Sequence, residues 1–521
     1  MKWNQQRIFF VLENLILLGL LGFLLYWHFI VGQIRFFDVD EFTHLHWAAD
    51  MARGQKPYID FFTFFTPGFY WMLEPLFWLF GRSVAIFTAA RTIMFFVFVG
   101  MVGLTGWLFA MLRDKRYALI PMILLAFLPM PFDKFMEVRP DNPATFFGLA
   151  GVVLEVWALI HPSDTKAQKA WAGAGISYAV SLILLVKTLP FVGMGFLIAV
   201  WDAGIFDWIG ICFQKKRIVP LTINREYWMF LAGFAAPGIL TLLWMLTLGN
   251  FSTVWYSLTR LPFEANTIGR VYIMEPHLFF FPNASFYGGW GVTRPLIDNH
   301  TIWFIGIIAG CIRLLTPFIA GHGDKKRVMA EVLISGIFFL SVVGYVEFFP
   351  LKHSQYLIPI AIFIVWYTAD AGLYLFKWIK RLAGDIGLII LFILLAVLLG
   401  QDTVRVNRTK LDMSNTVQLN QTNQLLGAIA PNEQVLDLDG RLMYWTDPYY
   451  ICCLPFGSFV RFLSRPPLPV SDVLETKKVA YIYQGDSGRM WDLWGDLSYI
   501  QSHYSKVPGW GDALWKRNGN N

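Results

Sequence analysis

Hydrophobic and polar positions along this chain are sorted by whole segments rather than by single residues. Apolar runs lie near 9–31, 83–112, 118–132, 142–160, 172–187, 189–205, 227–249, 301–320, 328–348, 357–376 and 385–400, with short polar stretches between them. A helix that crosses a bilayer needs about 20 mostly apolar residues. The runs therefore predict an α-helical polytopic membrane protein of about 11 transmembrane helices, a short pair of which flanks Lys187. After residue 400 the pattern changes. "EQVLDLDG" and "KKVAYIYQG" read as short strands, and "SNTVQLNQTNQLLGAIA" reads as an amphipathic helix before them. The expected division is a membrane domain at 1–400, with a first outer loop at 32–82, and a small α/β domain at 401–521.

Composition agrees with this class. Of 521 residues, 56% are hydrophobic and only 15% charged, outside the soluble range. The first run is too long for a signal-peptide core and lacks a small-residue cleavage site, so it reads as a retained span. The net charge of +6 is modest and fits loop cations meeting anionic lipid, not a nucleic-acid footprint. Four cysteines are too few for a disulfide framework, and the neighbours Cys452 and Cys453 are poorly placed to pair with each other.

Basic clusters set the expected orientation. Arg113/Lys115/Arg116, Lys166/Lys169, Lys215/Lys216/Arg217, Lys325/Lys326/Arg327 and Lys377/Lys380/Arg381 all fall on the side of the N-terminus. The positive-inside rule makes that side cytoplasmic. The segments 32–82, 133–141, 250–300, 349–356 and 401–521 then face outward, and an odd number of spans leaves the tail outside as well.

The outward segments hold the chemistry. "DEFTHLHWAADMARG" has the opening acids, apolar spacing and closing glycine of a helix lying in the membrane interface, with Asp40 and Glu41 at its start. The structural reading makes Asp40 a helix cap, yet capping uses one acid and this loop holds several. Asp60 sits between the turn signals Pro57 and Pro67-Gly68, suited to binding substrate or to ordering the loop. "DKFMEVRPDNPATFF" places Asp133, Glu137, Arg139 and Asp141 at the mouth of a span. Arg139 there serves either a structural ion pair or a phosphate, to which its planar fork is matched. Lys187 interrupts apolar sequence, as an interfacial anchor or a phosphate contact. "LKHSQYLIP" sets Lys352, His353 and Tyr356 at the outer end of another span. HExxH, Walker A, GxGxxG and GxSxG patterns are all missing, which withdraws support from nucleotide and dinucleotide chemistry.

In order, these motifs are a first span, "DEFTHLHW", "GQKPYIDFFTFFTPGFY", "RPD", a lysine before "LPF", and "KHSQYLIP". That order resembles the bacterial branch of the protein O-mannosyltransferase-like glycosyltransferases, glycosyltransferase family 39-like within the GT-C superfamily. The resemblance covers roughly residues 1–380. It implies a plasma (inner) membrane enzyme that moves a glycosyl group from a polyprenyl-phosphate sugar to an acceptor hydroxyl of a glycan, lipid or protein on the outer face, by a single inverting displacement. By the same resemblance Asp40 is the catalytic acid-base group and Glu41 its companion. Asp141 or Glu137 is the second acidic position, and Lys352 with the following His353 and Tyr356 matches a donor-phosphate segment; the residues themselves add Arg139 and Lys187 as phosphate contacts. A divalent metal, if the reaction uses one, falls to Asp40 and Asp141. The pKa of Asp40 is expected to be raised by an aromatic, partly desolvated pocket. Two competing classes are a lipid or polysaccharide transporter, which predicts repeated halves not seen here, and a non-catalytic membrane subunit.

Overall fold

The computed structural model describes residues 2–162, 166–215, 223–264, 284–319, 324–349, 353–453, 463–485, 490, 493 and 496–519. In chain order the first eleven helices are α1 (Lys2–Ile34), α2 (Val39–Ala52), α3 (Gly68–Phe80), α4 (Ala85–Leu112), α5 (Leu119–Phe127), α6 (Phe132–Met136), α7 (Asp141–Ile160), α8 (Ala167–Leu184), α9 (Leu189–Asp202), α10 (Ile205–Lys215) and α11 (Arg225–Thr247). Long helices at Arg294–Ile319, Lys325–Val343 and Ile358–Leu411 complete the bundle. Among the described residues seven helices are long and apolar enough to cross a membrane. The last of them breaks at Gly384, whose φ of 69° lies in the left-handed region open to glycine, so it forms two limbs. Large apolar side chains such as Ile8, Leu15, Trp78, Leu240, Ile308 and Leu394 stay exposed around the bundle, as lipid contact allows. The chain is a multi-pass membrane protein.

The expected eleven helices are not eleven full-length spans. α5 has nine residues, about 14 Å at 1.5 Å per residue, because Pro129 and Pro131 stop it. The following turn is buried in protein, where non-helical backbone is tolerated at membrane depth, and the Asn299 side chain accepts the Met130 N–H at 3.2 Å. α9 has 14 residues and bends by 56° into the next helix. α8 and α11 cross with backbones in near contact. A Cβ on Gly175 would lie 2.2 Å from the Phe230 carbonyl oxygen, and one on Gly233 would lie 2.2 Å from that of Ala172. Small residues at a crossing are the usual device for close helix packing in lipid. Gly175→Ala is expected to cost about 1–3 kcal/mol, read as a lower melting temperature in detergent. Gly193→Ala, which would meet nothing within 4 Å, is the control and should be neutral or better.

Charged groups collect in two layers. At one end Arg113 holds Glu331 and Asp370, Arg116 holds Glu13 at 2.6 Å, Lys380 holds Asp385 at 2.9 Å, and Lys325 holds Asp207 at 2.8 Å. This layer includes members of three of the basic clusters that the sequence placed on one side: Arg113 and Arg116, Lys325, and Lys380. The opposite layer contains α2, α6, residues 133–141, the C-terminal end of the Ile358–Leu411 helix, and the tail.

The tail carries a four-stranded sheet in the order β1-β2-β4-β3, with β1 (Val435–Asp437), β2 (Tyr481–Tyr483), β3 (Tyr504–Lys506) and β4 (Leu514–Arg517). β1 and β2 are parallel, connected across the helix Val470–Lys477, and the remaining pairs are antiparallel. The expected helix is present as Thr416–Ala428, and both expected strands are present. The 400/401 boundary falls inside the last long helix, which continues to Leu411. Cys452 and Cys453 are disulfide-bonded to each other, contrary to expectation, with Cys453 at a left-handed φ of 70°.

Loop and tail share one hydrophobic core. Phe37, Phe42, Leu45, Phe61 and Phe62 pack with Leu436, Leu442, Trp445 and Ile482. The Phe37 N–H donates to Gln418 Oε1 at 2.7 Å, and the Phe62 N–H donates to the Tyr450 carbonyl at 2.7 Å. α2 is consequently buried from Glu41 through Met51 rather than lying exposed in the interface, because the tail covers its second face.

Candidate active site

The geometry begins at the first turn of α2. Asp38 is the N-cap: its Oδ1 accepts the Asp40 N–H at 3.0 Å, and Glu41 Oε1 accepts the Asp38 N–H at 2.9 Å. This is a capping box, and it releases Asp40 from the capping duty that the sequence allowed it. The Asp40 carboxylate is 46% exposed, and Arg139 Nη1 donates to its Oδ2 at 2.7 Å.

Glu41 has a different position from the one the resemblance implies. It is fully buried, with Arg91 Nε and Nη2 on its two oxygens at 2.9 and 2.6 Å and the Val138 N–H on Oε2 at 3.0 Å. Arg91 also donates to the carbonyls of Gly32, Arg35 and Phe36 at the end of α1. Glu41 thus ties α1, α2, α4 and the 138 backbone together, and has no open face toward a substrate.

Residues 133–141 supply the counter-charges. Arg139 is buried and donates from Nε to Glu137 and from Nη1 to Asp40, with Nη2 at 3.3 Å from Asp38. Lys134 Nζ lies 2.8 Å from Glu137 and 3.4 Å from Asp38. Arg35 bridges Glu137 and Asp133, and Lys410 closes the chain on Asp133 at 2.5 Å. Four acids (Asp38, Asp40, Asp133, Glu137) face four bases (Arg35, Lys134, Arg139, Lys410), so the network is formally neutral. It is a graded ladder, fully buried at Lys410 and open at Asp40.

The two second-loop acids part company here. Glu137 is buried beneath three cations, which hold its carboxyl well below the usual range against the upward push of burial. Asp141, the first residue of α7, is nearly buried and has no hydrogen bond or ion pair among the described residues. An almost enclosed carboxylate without a protein partner is the better placed of the two to meet a ligand.

Lys187 stands in the short turn Val186–Thr188 between α8 and α9. Its Nζ lies 3.8 Å above the Tyr356 ring, and it pairs with no carboxylate among the described residues. His353 meets Tyr356 edge-on at 5.8 Å. Burial lowers the pKa of His353; Asp40 raises it, and the cations Arg139, Lys134 and Lys187 lower it. His44 has its pKa lowered to about 3, first by burial, with Asp40 opposing and Arg139 and Lys187 assisting. Asp40, Arg139 and Lys187 thus lie close enough to His44 and His353 to shift both electrostatically. Lys352 lies outside the described residues. Asp60 is on the surface, its Oδ2 accepting the Lys56 N–H at 2.7 Å, so it orders its own turn.

Asp40 is shifted in the direction opposite to the expected one. Burial pushes it up, but the Arg139 charge and hydrogen bond, with His44 and Lys134, outweigh burial and bring it down to about 2. The aromatic side chains of the loop do not line a sugar pocket: Trp47, Phe65, Phe69 and Tyr70 stack around His44 inside the core. No trio of metal-ligating side chains gathers at Asp40 among the described residues; the trios that do form lie at the other end of α2, around His46. Arg139, Lys134 and Arg35 balance the acids of the Asp40 neighbourhood.

Arg35, Arg91, Lys134 and Lys410 join this network together with Asp133, and sequence reasoning had singled out only Asp133. A single charge at the end of an apolar run reads as an anchor, and only the fold reveals its partner.

The fold itself was compared with solved structures. ArnT from Cupriavidus metallidurans in the apo state superposes with a TM-score of 0.53 at 14% identity, over 99% of this chain and 98% of that one. The fold is shared. ArnT from the same organism bound to undecaprenyl phosphate gives 0.54 at 12% identity, over 96% and 97%. The archaeal oligosaccharyltransferase AglB from Archaeoglobus fulgidus, in complex with an inhibitory peptide and a dolichol-phosphate, gives 0.51 at 12% identity, over 97% and 74%. The GT-C resemblance read from the motifs thus holds for the architecture. No protein-family profile and no curated protein matches the chain.

Proposed function

We propose that this protein transfers a glycosyl group from a polyprenyl-phosphate sugar to an acceptor hydroxyl at the outer face of the membrane. The observation that carries the reading is the Asp40–Arg139 pair: a half-exposed carboxylate held on one oxygen only, with Lys187, which pairs with no carboxylate among the described residues, near enough to shift His44 and His353. Two solved structures of this fold contain a lipid phosphate, undecaprenyl phosphate or dolichol-phosphate, which supports the donor class. The layer that includes members of the basic clusters is assigned to the cytoplasm, which puts Asp40 and the tail outside.

In the reaction, the acceptor oxygen attacks the anomeric carbon, the bond from that carbon to the phosphate oxygen breaks, and configuration inverts. The acceptor proton passes to the free Oδ1 of Asp40. The leaving polyprenyl phosphate takes the electron pair, and Lys187, Arg139 and His353 stabilise its charge. A carboxylate with a pKa near 2 is a weak base, and Arg139 is the reason. An arriving phosphate competes for the same guanidinium, so donor binding loosens the Arg139–Asp40 bond and strengthens the base when it is needed. Asp141 orients acceptor hydroxyls opposite Asp40.

The test is direct. Purified protein in lipid nanodiscs, offered a panel of polyprenyl-phosphate sugars with candidate hydroxyl acceptors, should release free polyprenyl phosphate from one donor class. Release from none of them would remove the proposal. Lys187→Met is expected to lower kcat/KM for the donor by about 10–100-fold, the weight of one charge-assisted hydrogen bond. Its melting temperature should be unchanged, because Lys187 holds no carboxylate in the folded protein.

A further inference from the structure

The far end of α2 carries a second polar cluster that the transfer reaction does not use. His46 and Asp50 stand one helical turn apart on one face of α2, and the tail brings Asp447 to them. One ligand atom from each of these three side chains lies within 4.8 Å of the other two. His46 and Asp50 are completely buried, and Asp447 is nearly so.

The hydrogen bonding around His46 is unbalanced. Its Nδ1 faces the Gly440 carbonyl at 3.1 Å, with Asp437 Oδ2 at 3.5 Å, and its Nε2 faces Asp447 Oδ2 at 2.6 Å. Every one of those groups is an acceptor. Asp437 is satisfied by the backbone N–H groups of Asp439, Gly440 and Leu442. Asp50 Oδ1 is held by Arg53, but its Oδ2 is buried with no donor among the described residues. Asp50 and Asp447 thus face His46 in an enclosed space, with Arg53 at its edge.

We infer that His46 Nε2, Asp447 and Asp50 form a binding site for a divalent cation of the zinc class, which fastens α2 to the C-terminal domain. In metal-binding histidines one ring N–H donates to a carbonyl or carboxylate, as His46 Nδ1 does to Gly440, and the other nitrogen is the ligand. One nitrogen and two carboxylate oxygens suit zinc. The Cys452 and Cys453 sulfurs also approach His46, but joined as a disulfide they offer no thiolate, so the protein set is nitrogen and oxygen. Coordination at about 2.0–2.1 Å asks the His46–Asp447 contact to open by a small rotation of Asp447. Asp40 begins the helix that this ion anchors, so the ion positions the catalytic carboxylate without touching substrate.

The full-length protein in detergent tests this without any glycosyl donor. Metal content is measured after purification; the protein is then stripped with a chelator and titrated with Zn²⁺, following bound metal and melting temperature. The expected result is one equivalent of zinc per chain with a raised melting temperature, and at least about a 10-fold loss of affinity in both Asp50→Asn and Asp447→Asn. Asp60→Asn, a surface control, should bind as wild type does. Asp50→Asn keeps the side-chain volume, which guards against a misfolded His46 variant deciding the matter. A stripped wild type that takes up no zinc overturns the inference, as does uptake that both variants retain in full. Because the readout is metal and not turnover, this failure is distinct from failure of the transferase reading.

Discussion

Asp40→Asn should reduce polyprenyl phosphate release by roughly 10²–10⁴-fold, the usual weight of a general base, with the melting temperature close to wild type. Stability is spared because Asp38 and Glu41, not Asp40, cap α2, and Asp40 itself is 46% exposed. Asparagine keeps an oxygen for Arg139 but has no lone pair basic enough to take the acceptor proton. The pH profiles carry a second check. Activity needs the ionised form and is lost as pH falls through its pKa, which is near 2 in the free enzyme. If donor phosphate draws Arg139 away, the acid limb of kcat lies at higher pH than that of kcat/KM, since the former reports the enzyme–substrate complex. Coincident limbs would remove Arg139 from its coupling role. Turnover of Asp40→Asn equal to wild type would remove Asp40 altogether and restore the non-catalytic reading.

The largest expected loss of stability lies at the next residue, Glu41, and its partner Arg91 in α4. Arg91→Met should destabilise the protein by about 3–5 kcal/mol, because it leaves the buried Glu41 carboxylate without its counter-charge. The same change orphans the carbonyls of Gly32, Arg35 and Phe36, which Arg91 now satisfies at 2.8, 2.6 and 2.8 Å. Melting in detergent measures the effect. The double change Arg91→Met with Glu41→Leu should recover part of it, since two apolar groups are tolerated where one bare charge is not. A single Arg91→Met that melts like wild type would show that Glu41 finds another partner, and would reopen it as a site residue.

The fold was legible because lipid imposes a coarse code: a long uncharged run can do little but cross. Val435–Asp437 and Tyr481–Tyr483 announced themselves by β-branched and aromatic alternation, whereas Tyr504–Lys506 and Leu514–Arg517 are short, polar-flanked and were missed. Proline told against a full helix at 118–132, and counting apolar residues alone overrode it. At the site, the loop motif and Asp40 were visible, but the sign of the Asp40 shift was not. That sign depends on Arg139, 99 residues away in sequence and 2.7 Å away in space. Glu41 was misread for the same reason, since its partner Arg91 lies inside an apolar run 50 residues on. His46 and Asp50 stood at helical spacing all along, yet only the tail, through Asp447, gives that pair a meaning.

The burial of α2 against the tail also has a temporal side. α2 leaves the ribosome early, yet the groups that enclose it, from Gln418 through Trp445 to Ile482, are among the last to be made. The loop must wait, half covered, until the chain has been synthesised at least as far as Ile482. A nascent or prematurely stopped chain therefore holds Asp40 on an unfinished helix, and competence arrives with the carboxyl terminus.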